Sequence, residues 1–497
     1  MSKYVLAIDA GTTSQRAILF NKKGKILNIA QEKLKQFYPN PGWVEHDPIE
    51  IWEIQKLTID SVLQKSGIDI SELAVIGITN QRETTVVWDR GTGKALHKAI
   101  VWQDRRTSEY CDKLKADGHV EIVQDKTGLL IDSYFSATKI RWILDHVDGA
   151  QKSAENGKLA FGTVDSWLLW KLTKGEVHAT DVTNASRTML FNIHELDWDN
   201  DLLNLFNIPK SMLPDVRQSS DYYGNTDPDI FSKAIPIGAI AGDQHSALFG
   251  QMCVNPGMVK NTYGTGCFLM MNTGSQAIKS KNKLLTTIAW KINNEVSYAL
   301  EGSIFIGGAL VQWLRDNVDF IESAQEIETL AKSVENNGGV YFVPGFVGLG
   351  APHWDQFGTG LIIGLTRGTK KGHIARAALE ALALQSLDVI ETMSLDSNIK
   401  IKELRVDGGA SANDLLIQIQ SDIAGLKIVR PKIIETTAQG VAFLAGLSAG
   451  YWKNIEEIQS LWEVDKKFIP SKIDLHSIKK NWQKAVQRAK NWVEKEN

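Results

Sequence analysis

The chain opens with Tyr4-Val-Leu-Ala-Ile-Asp9-Ala-Gly-Thr12-Thr13-Ser14-Gln-Arg16-Ala-Ile-Leu-Phe20, a stretch that predicts a hairpin. Two short apolar runs flank a polar turn, and apolar runs of this length between turn residues are typical of buried strands. The turn contains one carboxylate, one glycine, three hydroxyl side chains and an arginine. Its composition alone would also suit an ordinary polar hairpin turn, so the rest of the sequence must decide between the two interpretations.

A phosphate group would fit this turn. Successive backbone N–H groups around Gly11, together with the neighbouring hydroxyls, can surround an anion. Asp9 stands where a carboxylate can hold a hydrated Mg²⁺ beside such phosphates, because Mg²⁺ prefers carboxylate and water oxygens. Asp9 is therefore the predicted metal ligand and part of the predicted catalytic set. The residues expected to hold phosphates are Thr12, Thr13, Ser14 and Arg16.

Length and composition indicate a globular protein with more than one domain. The chain has 497 residues, which is too long for a single hydrophobic core. Its residues are 43% hydrophobic and 23% charged, which is ordinary for a globular protein. The formal net charge of −3 offers no general attraction for nucleic acid, so we expect no nucleic-acid partner.

The cysteines and the hydrophobic profile predict a cytoplasmic protein. Cys111, Cys253 and Cys267 are widely spaced and fit neither a disulfide framework nor a zinc site, which favours a reducing compartment. The N-terminal stretch lacks the apolar core of a signal peptide, and no apolar run approaches the ~18–20 residues of a membrane helix.

Strands and helices alternate along the first half. Asp47 and Pro48 carry the signals of a helix start, and Gly67 carries those of a helix end. Residues 74–78 follow as a buried strand, so the pattern predicts an α/β sheet domain. Binding groups in such domains collect just beyond the strand ends. Such positions are occupied by Arg82, Glu83 and Trp102.

A second hairpin like the one at residues 4–20 is predicted near the middle of the chain. Residues 257–271 again read as strand, Gly/Thr turn and strand, and Thr265 lies in the turn. We interpret this as a second phosphate hairpin that opens a second, related domain, with the boundary near Gln251. The predicted domains are thus residues 1–250, which contain the first phosphate hairpin, and residues 251–497, which contain the second, with a cleft between them.

A third phosphate device appears late in the sequence. The strand at residues 404–407 ends at Gly408-Gly409, where a flat ligand or a phosphate could approach the backbone closely. Ser411 and Asp414 have the spacing of a capping box, so we expect a helix to begin there.

These features together favour phosphoryl transfer. Such a reaction requires phosphates held in line, metal charge and a base for the incoming hydroxyl. Neither a P-loop nor the protein-kinase signatures occur in the sequence. Asp243, just past the strand at residues 235–240, is the candidate base, a role that typically contributes ~10²–10⁴-fold. Alternatively, Asp243 could serve only as the N-cap of a helix. His245, two residues later, is expected to have a structural role.

A series of motifs, taken together, resembles the FGGY carbohydrate kinases of the actin/hexokinase superfamily. The series spans nearly the whole chain in family order, which makes it far more specific than any single motif. The matching segments are residues 9–14, 41–48, 77–85, 161–167, 183–192, 241–244, 261–266, 349–352, 364–368 and 405–410.

The resemblance implies two actin/hexokinase-like (ribonuclease H-like) α/β domains with an active-site cleft between them. It also implies ATP-dependent, Mg²⁺-requiring phosphorylation of a polyol, and residues 77–85 and 184–187 favour glycerol. By motif match, the polyol would contact Arg82, Glu83, Tyr134, Asp243 and Gln244, with Trp102 and Phe268 as apolar walls. The nucleotide would contact the opening hairpin, Thr265, Gly308, Gln312, Gly409 and Asn413. The assignments of Tyr134, Gly308 and Gln312 depend on the resemblance alone.

Several points depart from the family or stay open. The family often has Gln at the position of His245 and Cys at that of Asp104, and neither change removes a predicted ligand. Residues 222–236 contain neither the sugar-bisphosphate loop nor the phosphorylated histidine of some relatives, so we expect both controls to be absent. Homo-oligomers, dimers or tetramers, are common in the family. The alternatives are a kinase for another sugar or sugar alcohol, and a non-catalytic nucleotide-switched scaffold.

Overall fold

The computed structural model describes residues 3–493. The strands are, in chain order, β1 (Tyr4–Ala10), β2 (Ser14–Asn21), β3 (Ile26–Lys33), β4 (Glu45–His46), β5 (Leu73–Asn80), β6 (Val86–Asp89), β7 (Ala99–Ile100), β8 (Leu159–Gly162), β9 (Ala179–Asp181), β10 (Phe191–Asn192), β11 (Asp197–Trp198), β12 (Asp215–Arg217), β13 (Ile237–Gly242), β14 (Met258–Tyr263), β15 (Cys267–Gly274), β16 (Leu285–Ile292), β17 (Glu295–Ile304), β18 (Tyr341–Val343), β19 (Leu361–Ile363), β20 (Glu403–Asp407), β21 (Lys427–Pro431) and β22 (Val464–Phe468).

The α-helices are α1 (Pro48–Ser66), α2 (Ser108–Ala116), α3 (Val120–Thr127), α4 (Ser136–His146), α5 (Ala150–Glu155), α6 (Val164–Leu172), α7 (Val182–Ala185), α8 (Asn200–Leu205), α9 (Pro228–Phe231), α10 (Asp243–Gly250), α11 (Ala309–Asp316), α12 (Glu326–Lys332), α13 (Lys371–Ser397), α14 (Asp414–Ala424), α15 (Thr436–Ser448), α16 (Ile455–Leu461) and α17 (Leu475–Ala489). Short 3₁₀ helices cover Ile70–Glu72, Lys210–Met212 and Gly409–Ala412.

The first half of the chain forms a five-stranded sheet in the order β13-β5-β1-β2-β3. The predicted opening hairpin is confirmed, because β1 and β2 pair antiparallel and place Asp9 opposite Arg16. β1 then runs parallel to β5, and β5 runs parallel to β13. The carboxyl ends of β1, β5 and β13 therefore meet at one edge, where ligands of α/β sheets bind.

The second half repeats this arrangement in a seven-stranded sheet in the order β16-β17-β15-β14-β20-β21-β22. The second predicted hairpin is present as the antiparallel pair β14–β15, and β14 runs parallel to β20 as β1 runs parallel to β5. Two hairpins, each joined to parallel strands, therefore present their turns and strand ends as two related units.

Two helices cross between the sheets. α10 follows the last strand of the first sheet but contacts β14 and β15 of the second, whereas α15 follows β21 and contacts β13, β5 and β1 of the first. The helices touch at glycines: a Cβ on Gly250 would lie 2.0 Å from Thr436 O, and one on Gly440 would lie 1.8 Å from Ser246 O. This exchange places the start of α10, with Asp243, at the junction of the two units.

Local signals explain several helix bounds. The Asp47 side chain accepts from the Ile49 N–H, Pro48 is the first helical residue of α1, and Gly67 closes the helix in the left-handed region, as predicted. The last helix, α17, ends at Ala489, and residues 494–497 lie outside the described part of the chain.

The hydrophobic core is divided among several clusters rather than one. One cluster joins Leu285, Ile288 and Tyr298 of the second half to side chains of the first half. The three cysteines are buried and free, as expected from their spacing. Among residues 3–493, no helix combines the length and apolar character needed to cross a membrane.

Candidate active site

A cavity of about 1450 Å³ opens between the two halves of the molecule. Both predicted phosphate hairpins and most of the predicted polyol residues line it, so the structure brings together groups that lie far apart in sequence. The predicted site residues on its wall are Thr12, Thr13, Ser14, Arg16, Arg82, Glu83, Trp102, Tyr134, Asp243, Thr265 and Phe268.

The first hairpin places two charged groups beside the cavity. Asp9 is buried at the end of β1, and its Oδ2 lies 2.5 Å from Arg16 Nη2. Burial raises the pKa of Asp9, while the Arg16 guanidinium opposes that shift. Arg16 also pairs with Glu435, at the start of α15, and so links the two halves. The N–H of Gly11 donates to Ser14 O at 3.0 Å and so closes the turn. We expected this N–H to face a phosphate, and in this structure it does not.

Asp243 is the first residue of α10, and its side chain does not cap the helix. Its Oδ1 lies 3.1 Å from Arg82 Nε and accepts the Gln244 N–H at 2.7 Å, while Oδ2 accepts from Gln244 Nε2 at 3.3 Å. Gly242 allows this approach, because a Cβ there would lie 2.7 Å from Arg82 Cγ. The carboxylate is about 30% exposed and lines the cavity, as a base for an incoming hydroxyl must.

A buried network of two arginines and two glutamates supports Asp243 from behind. Arg82 donates from Nη1 and Nη2 to Glu301 at 2.6 and 3.0 Å. Arg187 donates to Glu83 Oε1 at 2.7 Å and to Glu301 Oε1 at 3.0 Å. Burial would raise the pKa of Glu301, but the two guanidinium groups outweigh it and hold that pKa well below its usual range. The pairing fixes the Arg82 side chain, since each charge is desolvated and needs its partner.

Glu301 was not predicted from the sequence, and Arg187 entered only as the end of segment 184–187, with no contact assigned to it. Glu301 lies in β17, where the sequence Tyr298-Ala-Leu-Glu301 places one carboxylate in an otherwise apolar stretch. A charge inside a short apolar run is the available signal, because buried charges are rare unless paired. Its partner could not be named, since Arg82 and Glu301 are 219 residues apart.

Three aromatic rings line the cavity near Asp243. The Trp102 ring makes edge contacts with Tyr134 and Phe268, with centroids 5.6 and 6.3 Å apart. Trp102 Nε1 donates to Thr12 Oγ1 at 2.9 Å, which connects the apolar wall directly to the phosphate hairpin. The Tyr134 hydroxyl lies 3.4 Å from Arg82 Nη2. A small molecule with a carbon face and several hydroxyls matches this mixture of rings and charges.

The residues predicted to line the rest of a nucleotide site lie in the second half, next to Thr265. The Gly308 N–H donates to Gly264 O at 2.8 Å, and a Cβ on Gly308 would lie 3.9 Å from Ala410 Cβ. Gln312 follows in the first turn of α11, and its N–H donates to Gly308 O. The second hairpin, the start of α11 and the diglycine segment are therefore neighbours.

The predicted capping box is not formed as expected. Asn413, rather than Ser411, is the N-cap of α14, and its Oδ1 accepts from the Leu416 N–H at 2.9 Å. The Ser411 hydroxyl instead donates to Gly408 O at 2.7 Å. Gly409 faces open space, because a Cβ there would meet no atom within 4 Å. The backbone at Gly409 can thus be approached closely, as the sequence predicted.

The residues around Asp9 suit a hydrated divalent cation better than a protein cage. In the described part of the chain, no three His, Cys, Asp or Glu side chains gather closely enough to form a metal cluster. Mg²⁺ typically binds one or two carboxylates and completes its shell with water and phosphate oxygens. Burial and the negative charges of Glu435 and Asp243 raise the pKa of Asp9, and the Arg16 guanidinium opposes that shift.

Comparison with known proteins identifies the family of this chain. The model of the FGGY family of carbohydrate kinases, N-terminal domain, matches residues 4–250, and the C-terminal domain model matches residues 259–449. A glycerol kinase of Burkholderia ambifaria is 61% identical over 494 residues, which cover 99% of each chain.

Solved structures of related kinases have the same fold. The crystal structure of Plasmodium falciparum glycerol kinase with ADP is 37% identical, with a TM-score of 0.92 over 98% of both chains. A gluconate kinase from Lactobacillus acidophilus, 22% identical, shares the fold with a TM-score of 0.86 over 98% of this chain and 96% of that one. The predicted two-domain actin/hexokinase-like fold is confirmed, and the chain belongs to the FGGY family of carbohydrate kinases.

Proposed function

We propose that this protein catalyses ATP-dependent phosphorylation of glycerol to sn-glycerol 3-phosphate, the first step of glycerol catabolism. The observation that carries the proposal is the position of Asp243, whose Oδ1 is held 3.1 Å from Arg82 Nε on the wall of a cavity shared with the phosphate hairpin. The identity of 61% to a glycerol kinase over 99% of each chain supports glycerol as the polyol.

The chemistry of the residues near Asp243 suits a polyol. Arg82 and the Tyr134 hydroxyl supply donors beside Asp243, and Glu83 supplies an acceptor whose direction is fixed by Arg187. The Trp102 ring, with Phe268, would cover the carbon backbone. Glycerol, with three hydroxyls on three carbons, uses both kinds of contact, whereas a hydrocarbon would leave buried charges unmatched.

In the reaction, Asp243 accepts the proton of one glycerol hydroxyl as its oxygen bonds to the γ-phosphorus of ATP. The bond from that phosphorus to the β,γ-bridging oxygen breaks, and ADP leaves with the bonding electron pair. Positioning and charge stabilisation are most of what such a transfer requires from the protein. A cleft between two halves can also exclude water, which would otherwise compete as the acceptor.

The phosphates would lie against the two hairpins and the diglycine segment. On the first hairpin the proposed contacts are Thr12, Thr13, Ser14 and Arg16; on the second half they are Thr265, Gly308, Gln312, Gly409 and Asn413. Asp9 would hold a hydrated Mg²⁺, which supplies positive charge to the phosphate oxygens when bound.

The experiment is to measure ADP release with Mg²⁺–ATP and, separately, glycerol, dihydroxyacetone, xylulose, ribulose and gluconate. We expect turnover to be strongest with glycerol and at least ~10²-fold lower in Asp243→Asn. Asp201→Asn, a surface carboxylate paired with Lys126, is the matched control. A preference for a pentulose or gluconate would contradict glycerol as the substrate and indicate a family member that acts on another sugar or sugar acid. Folded protein that binds ATP without polyol-dependent turnover would contradict the proposal.

Three further properties belong to the same proposal. We propose a domain boundary near Gln251, a homo-oligomeric assembly and a cytoplasmic location. The boundary is supported by the division of the two main sheets, whose strands come from residues 4–242 and 258–468. Light scattering coupled to size-exclusion chromatography measures the assembly directly, and a monomer at micromolar concentration would contradict it.

A further inference from the structure

Lys260 is a fully buried lysine next to the candidate base. It lies in β14, opposite Met270 of β15 and Arg405 of β20, at the centre of the second sheet. Its Nζ donates to Gln244 Oε1 and, at 2.9 Å, to Thr262 Oγ1, both of which are neutral oxygens. Burying an ammonium group is unfavourable unless its surroundings compensate, so its presence here requires an explanation.

Nearby carboxylates keep this lysine charged. Burial lowers the pKa of Lys260 to about 8, while Asp407, Asp243 and Glu301 oppose that shift. Because the pKa stays above neutral, the side chain is mainly an ammonium ion at pH 7, and all of its hydrogen bonds are donated.

The charge of Lys260 decides which way the Gln244 amide points. An ammonium ion only donates, so the carbonyl end of Gln244, not its NH₂ end, must face Lys260. The NH₂ end therefore points away, and Nε2 lies 3.3 Å from Asp243 Oδ2. The two ends of a glutamine amide have nearly the same shape, and only their hydrogen-bond partners fix the orientation.

This orientation matters for Asp243. Its Oδ1 is held by Arg82 Nε and the Gln244 backbone N–H, while Oδ2 faces the Gln244 side chain. A reversed amide would place its carbonyl oxygen against Asp243 Oδ2, and two acceptors would repel each other. The carboxylate would then turn away from the geometry in which it can accept a hydroxyl proton.

We propose that Lys260 is a positioning residue for phosphoryl transfer, acting through the Gln244 amide on the Asp243 carboxylate. The inference rests on the proposed function, because it takes Asp243 as the group that accepts the proton.

A double-mutant cycle tests the relay, using Lys260→Met, Gln244→Ala and the double variant of the full chain, with kcat and KM measured for polyol and ATP. Methionine is similar in length and removes the donor without leaving a large void. We expect Lys260→Met to lower kcat by about 10- to 100-fold in the otherwise unchanged chain. In the Gln244→Ala background the same change should lower kcat by less than about threefold, because the relay is already broken.

The readouts separate positioning from general damage to the fold. Lys126→Met, which removes a lysine paired with Asp199 and Asp201, is the matched control and should leave kcat unchanged. The KM for ATP should also stay unchanged in Lys260→Met. A wild-type kcat in Lys260→Met, or an equal loss in both backgrounds, would overturn the proposal. If Lys260→Met does not fold, Lys260→Gln decides, because a neutral amide no longer dictates which end of Gln244 faces it. A reduced kcat with an unchanged KM for ATP supports the relay, and a wild-type kcat overturns it.

The wild-type measurement keeps the two proposals distinguishable. If the protein turns over a polyol other than glycerol, the cycle is measured with that polyol, and the role of Lys260 is judged as before. If no polyol promotes ADP release, the proposed function fails, and the role of Lys260 in it fails for that separate reason.

Discussion

At the scale of single residues, Asp104 holds one wall of the cleft through a buried ion pair. Its carboxylate accepts from the Val44 N–H at 2.6 Å and from Arg106 Nη2 at 2.8 Å. The Arg106 guanidinium lies over the ring of Trp43, 3.8 Å from its centroid, and also pairs with Glu45. Asp104 thus connects two loops just beyond the wall formed by Trp102, with a carboxylate where the family often has a cysteine.

Replacing Asp104 by Asn should lower the free energy of unfolding by about 3 kcal/mol, because a buried arginine loses one of its two carboxylate partners. Urea unfolding followed by tryptophan fluorescence measures the change. Asp112→Asn is the control: its pair with Lys115 is exposed, so the effect should stay below about 0.5 kcal/mol. Equal effects of the two substitutions would contradict this assignment.

His46 makes stability depend on pH in a direction that the structure fixes. The ring is fully buried, and its Nδ1 lies 3.3 Å from Gln81 Nε2. Burial lowers the pKa of His46 from 6.5 to about 4. The folded protein therefore holds a neutral imidazole, while the unfolded chain takes up a proton below its own pKa. The stability contributed by this histidine is complete above pH 6.5 and is lost as the pH falls toward 4.

Between pH 7 and pH 5 this single group should remove about 2 kcal/mol from the free energy of unfolding. In His46→Asn that part of the pH dependence should disappear, whatever the stability of the variant at pH 7. Urea titrations of both proteins at pH 5, 6 and 7 measure it. His476→Asn, at an exposed position, should keep the wild-type slope, and an unchanged slope in His46→Asn would be incompatible with a buried neutral ring.

At the scale of elements, the sequence predicted local pairs well and distant contacts poorly. The hairpins β1–β2 and β14–β15 were predictable because strand, turn and strand are contiguous and each turn carries Gly and Thr. Helix α1 was predictable because Asp47 and Gly67 act within a few residues of its ends. The crossing of α10 and α15 was not predictable, because the sequence of neither helix indicates which sheet the helix packs against.

Gly440 lies where α10 and α15 touch, so a substitution there tests the importance of this contact. A Cβ there would lie 1.8 Å from the Ser246 backbone oxygen, so Gly440→Ala must push α10 and α15 apart. We expect a loss of about 3 kcal/mol in the free energy of unfolding, at the upper end for overpacking. Because α10 begins with Asp243, kcat should fall as well. Gly91→Ala, where the new methyl would meet only Asp89 Oδ1 at 3.4 Å, should change neither quantity measurably.

At the scale of the whole molecule, the site depends on contacts that join the two halves. Glu301 of the second half neutralises Arg82 and Arg187 of the first, and Glu435 reaches Arg16 from the start of α15. The sequence could place Asp243 and Thr12 at strand ends, because that rule is local. It could not place Glu301 or Lys260 beside them, because their roles arise only when the two sheets come together.

The same geometry predicts that polyol and nucleotide bind cooperatively. The cavity of about 1450 Å³ is far larger than a three-carbon polyol, and both halves line it. The apolar wall at Trp102 and the first hairpin are joined by the hydrogen bond from Trp102 Nε1 to Thr12 Oγ1. Thr265 and Phe268, from the other half of the chain, line the same cavity. A ligand on one side that draws the halves together should therefore complete the site for the other.

We expect a non-hydrolysable ATP analogue with Mg²⁺ to lower the Kd for glycerol at least about fivefold, which is the lower range of typical coupling between two sites. Calorimetric titration of glycerol with and without the analogue measures the coupling, and the reverse titration must give the same factor because linkage is reciprocal. Small-angle scattering should show a smaller radius of gyration with the analogue and Mg²⁺ than without any ligand. Sorbitol at the same concentration controls for general osmolyte effects. If the Kd for glycerol is the same with and without the analogue, the two binding sites are independent. The hydrogen bond between Trp102 and Thr12 then does not couple them.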